Sequence, residues 1–152
     1  DIPILFLCDT PGFMVGPESD AEGLPGSAGA LFRSGANLRV PYGTVVTRKC
    51  YGLGAQAMMG GGLKQPLFAI SWPTGEFGPM GLEGAVRLGF AQELARAGNR
   101  HDELFDELVD AMYRHGRAVN VASHFEIDDV IDPVDTRVWV TRFLFGASTP
   151  KH

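Results

Sequence analysis

Charge is scarce in this sequence, and basic charge most of all. Charged residues make up 20% of the 152, and the formal net charge is −5. A protein that grips nucleic acid leaves a basic footprint, which is missing here, so nucleic-acid partners are not expected. No apolar stretch approaches the roughly 18–20 residues of a membrane span, and no signal peptide is visible. There are only two cysteines, Cys8 and Cys50, each set in an apolar strand-like run. Buried free thiols are expected rather than a disulfide or a metal pair. Histidine is equally sparse. His101, His115, His124 and His152 show no metal-ligand spacing with Cys, Asp or Glu, so no metal is expected. None of the serines lies in a nucleophile-elbow context.

What is present in excess is glycine, twenty in all, about twice the usual share. Apolar residues reach 45%, and a chain of this length buries roughly 68–70% of its unfolded surface, enough for one domain with a core. DIPILFLCD reads as a buried strand that ends in a turn at DTPGF. Met14 to Gly29 reads as a surface loop, and SAGALFRSGANL as a helix with Leu31, Phe32 and Leu38 on one side. GTVVTRKC, rich in β-branched residues, predicts a strand, GLGAQAMMG a short helix, and PLFAISW another strand followed by a turn over PTGEFGPMG. LEGAVRLGFAQELARAG predicts one helix stopped by Gly98. HDELFDELVDAMYRHG is the cleanest amphipathic segment, with Leu104, Phe105, Leu108, Val109 and Met112 in a stripe, its acids early and Arg114 and His115 late. A strand or turn over EIDDVIDPVD precedes a last helix after Pro133. Strands alternate with helices, so the fold class is α/β. The chain opens at Asp1 in a strand without an initiator Met, and it is expected to be part of something larger.

The chemistry-bearing stretch is RKCYGLGAQAMMGGG, Arg48 to Gly62, which has no carboxylate and no hydroxyl apart from Tyr51. A strand that turns through glycine into a helix leaves the first helical N–H groups without internal partners. A phosphate-binding Walker loop is excluded, because no Lys-Ser or Lys-Thr pair follows the second glycine. A dinucleotide fingerprint would use Gly52 and Gly54 but meets Ala57 at the third position and has no acidic residue for the ribose. An oxyanion hole requires only paired N–H donors, and Gly54 lets a ligand come close to the backbone. A tight corner with no ligand fits the same pattern. Glu76 reads either as a general acid or base or as a structural carboxylate. The acids of EIDDVIDPVD lack EF-hand spacing and read as turn and cap residues.

In order along the chain, DTPGFMVG, TRKCYGLGAQAM, WPTGEFGPMGLEGAV and IDDVIDPVDTR resemble the C-terminal half of the carboxyltransferase (beta) subunit of biotin-dependent acyl-CoA carboxylases. The resemblance runs from Asp1 to about Trp139. Propionyl-type members read closer to RKAYGGAYDVM, and the methylcrotonyl-like YGAG pattern is nearer to this sequence. The family implies a crotonase-like fold of ββα units wound into a superhelix. By this resemblance residues 1–152 form the biotin-side domain, and the N-terminal acyl-CoA-binding half has no counterpart here.

The activity so implied moves a carboxyl group from carboxybiotin to the α-carbon of an acyl-CoA. By position, the backbone N–H groups of Leu53 and Gly54 would stabilise the oxyanion on the ureido oxygen, with Gly52, Ala55, Gln56 and Phe13 around the substrate. Gln56 stands where family members vary near the substrate, and it reads equally as a helix cap. Biotin on a partner carrier, acyl-CoA, a biotin carboxylase subunit, an N-terminal carboxyltransferase domain and a homo-oligomer are the implied cofactors and partners, in a cytoplasmic setting. Two other readings share this half: a biotin-dependent acyl-CoA decarboxylase subunit, and a non-catalytic assembly domain with the same fold.

Overall fold

The computed structural model describes residues 2–14 and 16–146. The centre is a long strand, β2 (Tyr42–Tyr51), whose β-branched run fits a pleated surface buried on both faces. β1 (Ile4–Thr10) lies along one edge of it, in parallel, with Cys8 opposite Val46 and Thr10 opposite Cys50. On the other edge β3 (Ala69–Ser71) pairs with Thr44–Val46, and β4 (Glu76–Gly78) pairs with Lys49–Tyr51. β5 (Asp129–Val130) extends the sheet beyond β3. All four strand pairings are parallel, as the alternation of strands and helices predicts.

Two neighbouring valines of β2 show how the sheet divides the core, because successive side chains point to opposite faces. Val46 packs with Cys8, Cys50, Ala55 and Met59, beneath α3 (Gly52–Met58). Val45 packs on the other face with Phe68, Ile70, Ile131 and Leu144, beneath the C-terminal helices. Phe68 is the anchor there, with ring centroids 5.9 Å from Trp139 and 5.8 Å from Phe143. Each fully buried side chain of that size contributes about 1.5–3 kcal/mol relative to an exposed one.

Several elements differ from the sequence-based expectation. The segment read as a surface loop from Met14 to Gly29 contains α1 (Pro17–Ala21) and most of the first turns of α2 (Leu24–Ala36). In each, a proline occupies the start of the helix, where its missing N–H costs nothing. α2 buries no residue fully: of the expected apolar face, Leu31 is exposed while Phe32 and Leu38 are half-buried. The turn over PTGEFGPMG holds β4, a strand too short to register as a pattern. The single helix expected before Gly98 is two, α4 (Leu82–Gly89) and α5 (Ala91–Arg96), broken at Phe90. α6 (His101–His115) matches its pattern and stops at Gly116. The short α7 (Ala118–Ser123) follows at once, and the described residues close with a 3-10 turn, α8 (Thr136–Val140) and a π turn.

Candidate functional site at the β2–α3 junction

β2 runs into α3 without a loop, and one glycine makes this possible. Gly52 has φ +58°, and a Cβ there would lie 2.5 Å from the Pro79 carbonyl oxygen. Only glycine takes that turn without strain or collision. α3 has no side-chain cap. Its second and third residues, Leu53 and Gly54, have no carbonyl four residues back within the helix. Among the described residues, neither amide donates a hydrogen bond outside the helix.

Gly54 is buried against the segment that follows β1. A Cβ there would sit 2.6 Å from the Gly12 carbonyl carbon and 2.8 Å from the Phe13 nitrogen. Gly12 is itself turned at φ +108°, and its amide donates to Thr10 Oγ1 at 3.3 Å. The Gly12–Phe13 backbone and α3 therefore touch as bare chains, which places Phe13 beside the junction.

An open cavity of about 620 Å³ extends along α3, with mostly apolar walls. Gly52, Leu53, Ala55 and Gln56 line it. Gly54 and Phe13 do not lie on its surface, although both pack directly behind the turn. Facing α3 across the cavity are Phe77, the end of α6 at His115, and α7 with Asn120 and His124. Lys64 and Glu126 close one side, 3.7 Å apart.

In the sequence the histidines have the spacing of no metal-ligand set and carry no assigned role. The fold brings His115 and His124 together, with ring centroids 6.3 Å apart. Nothing local signals this meeting, which depends on the turn between α6 and α7.

Two tyrosines near the junction are paired with carboxylates. Tyr51, buried at the end of β2, donates its phenol to Glu76 Oε2 at 2.8 Å, so Glu76 serves a structural partner. Tyr113 donates to Glu83 Oε1 at 3.0 Å. Burial first, and then the bond to Glu76, push the Tyr51 phenol well above its ordinary range. Burial also raises Tyr42, and the bond to Glu83 raises Tyr113.

A phenol whose folded pKa exceeds its unfolded value of about 10 contributes stability that is complete below that pH. That stability is lost as the pH climbs beyond it, because the unfolded chain ionises first. Urea melts of the chain are therefore expected to shift to lower midpoints above pH ~10, with a smaller shift in Tyr51→Phe. Equal alkaline shifts in the two proteins would show that Tyr51 is not responsible.

Cys8 and Cys50 are free, buried thiols in contact with one another. The hydrogen bond that Cys50 donates to Cys8, and then burial, push the Cys50 thiol up. The acids of the EIDDVIDPVD segment hold backbone: Asp128 Oδ2 accepts from Ala69 N at 2.7 Å, and Asp132 Oδ1 caps Val134 N at 2.9 Å.

With the geometry in place, comparison with known proteins is informative. The family model described as carboxyl transferase domain matches residues 1–147. The carboxyltransferase subunit of propionyl-CoA carboxylase from Haloferax mediterranei is 37% identical over 140 residues, 90% of this chain and 26% of that protein. The methylmalonyl-CoA carboxyltransferase 12S subunit of Propionibacterium freudenreichii is 31% identical over 137 residues, 90% of this chain and 26% of its own length.

Among solved structures, a single-chain, multi-domain long-chain acyl-CoA carboxylase is 50% identical with a TM-score of 0.79. The match covers 93% of this chain and 14% of that one. A transcarboxylase 12S structure described as a hexamer matches at 29% identity and a TM-score of 0.87, over 99% of this chain and 29% of that one. The chain spans about a quarter of the length of the curated relatives it matches. Its α/β architecture with a parallel sheet is the crotonase-like fold of these carboxyltransferases. The motifs, the sheet and the matches along nearly the whole sequence agree: this chain belongs to the carboxyl transferase domain family.

Proposed function

We propose that this domain forms one half of a biotin-dependent acyl-CoA carboxyltransferase site, with a long-chain thioester as the carboxyl acceptor. The observation that carries the reading is the uncapped start of α3, whose Gly52 and Leu53 line a mostly apolar cavity with Gly54 packed directly behind them. The long-chain assignment rests on the 50% identity to the long-chain acyl-CoA carboxylase, against 29–37% for the other relatives cited.

The residues present fit biotin. A ureido oxygen that gains negative charge needs N–H donors, and Leu53 and Gly54 are the proposed pair. Bound there, a carboxylated ureido ring supplies the carboxyl group. The chain itself contributes fixed dipoles and a mostly apolar wall. No titrating side chain is required at the turn, which accounts for a stretch with almost none. The thioester would be held by an N-terminal carboxyltransferase domain and biotin delivered on a carrier from a biotin carboxylase partner, within a homo-oligomer.

An assembled carboxyltransferase containing this domain tests the reading with carboxybiotin and thioesters of increasing chain length. Carboxyl transfer that is fastest with long chains is expected. No transfer to any thioester would overturn the function, and a preference for propionyl-CoA would overturn the chain-length assignment alone. The 152-residue chain by itself is expected to give no turnover.

A further inference from the structure

The wall of the cavity opposite α3 is built around His124, at the end of α7. Its Nδ1 lies 2.8 Å from the Asn120 carbonyl oxygen and 3.3 Å from Ser123 Oγ. A carbonyl oxygen only accepts, so Nδ1 carries a proton, and in the tautomer this contact selects Nε2 is an acceptor. Among the described residues Nε2 has no hydrogen-bond partner.

The ring is solvent-exposed, and its contacts come from the ends of α6 and α7. Asn120 Nδ2 donates to the Arg114 carbonyl at 2.6 Å, which ties α7 to the end of α6, and His115 packs against the His124 ring at 57°. The next residue, Phe125, has φ +58°, a conformation costly for a bulky side chain, and it is 84% exposed. Strain of this kind persists only where neighbours over-determine it, and it gathers at binding sites. Here Lys64 donates to the Phe125 carbonyl and faces Glu126, so the turn is held from across the cavity mouth.

We propose that His124 Nε2 is a binding residue of this cavity, accepting a hydrogen bond from an amide-type N–H of the ligand. The inference rests on the carboxyltransferase reading above. In a cavity with mostly apolar walls, a few placed polar groups set a ligand's orientation. An acceptor without a protein partner on such a wall selects a donor. Two parts of the proposed ligands carry such an N–H: the ureido ring of biotin and the pantetheine arm of coenzyme A.

The test is calorimetric titration of the assembled enzyme with free biotin and, separately, with coenzyme A, using wild type, His124→Leu and His124→Gln. Circular dichroism confirms that each variant is folded. His124→Leu is expected to weaken one probe about ten-fold and leave the other within two-fold. His124→Gln, whose Oε1 accepts, is expected to restore it, and the probe affected identifies the source of the N–H. Both probes unchanged, both weakened alike, or no rescue by glutamine would each overturn the proposal. Because binding is read directly, this pattern in an enzyme that transfers no carboxyl group would keep the subsite and overturn the function instead.

Discussion

Replacing Leu53 by proline in an assembled carboxyltransferase is expected to lower the rate of carboxyl transfer by roughly 10²–10³, the usual effect of losing one oxyanion donor, about 2.7–4 kcal/mol. Proline removes the N–H outright. The position is favourable for the experiment, because the second residue of a helix gives up no internal hydrogen bond there. The Leu53 side chain is 62% exposed, so Leu53→Ala is expected to change the rate only modestly.

One complication is steric. Proline restricts the residue before it to extended backbone, and Gly52 is turned to φ +58°. A backbone ester at position 53 avoids this by replacing N–H with oxygen and leaving the side chain intact. Circular dichroism and the assembly state are checked first for both variants. If the folded, assembled ester enzyme transfers carboxyl groups at a near-normal rate, this amide is not a catalytic donor, and the junction is only a tight corner.

Gly54→Ala is expected to destabilise the domain by roughly 1–3 kcal/mol, the range for forcing a group into a filled interior. The cost comes from what the new methyl meets. Its neighbours are the Gly12 and Phe13 backbone at 2.6–2.8 Å, and neither can swing aside as the end of a long side chain would. Relief requires α3 to part from the segment after β1, which shifts the turn that carries Leu53. Denaturant melts should therefore show a lowered midpoint. In the assembled enzyme the rate should fall even where the protein remains folded. An unchanged midpoint with full activity would mean that the contact is slack and that the Gly12–Phe13 segment does not hold the turn.

Where the sequence succeeded, the determining interactions are local. GTVVTRKC has the β-branched density of a buried strand, and Gly52 after it is the residue a sharp turn into α3 requires. α6 was legible for the same reason, since a 3.6-residue stripe and a charge gradient along one helix are written within fifteen positions. Elements a few residues long were not legible. β4 exists because Lys49–Tyr51 offers it a partner from a distant part of the chain, and GEFG by itself reads as a turn. α1 was hidden in a composition of Gly, Pro and acids that serves loops and helix starts alike.

The site divides along the same line. The bare amides of Leu53 and Gly54 follow from the sequence, because a strand that becomes a helix through glycine leaves its first N–H groups open wherever the two ends lie. That Phe13 backs Gly54, that Gln56 faces the cavity, and that His115 and His124 stand 6.3 Å apart were decided only by the tertiary structure. Each joins residues whose side chains carry no mutual spacing code. Their meeting is fixed by how α3, α6 and α7 pack on the sheet, and packing is a property of surfaces brought together, which no single segment encodes.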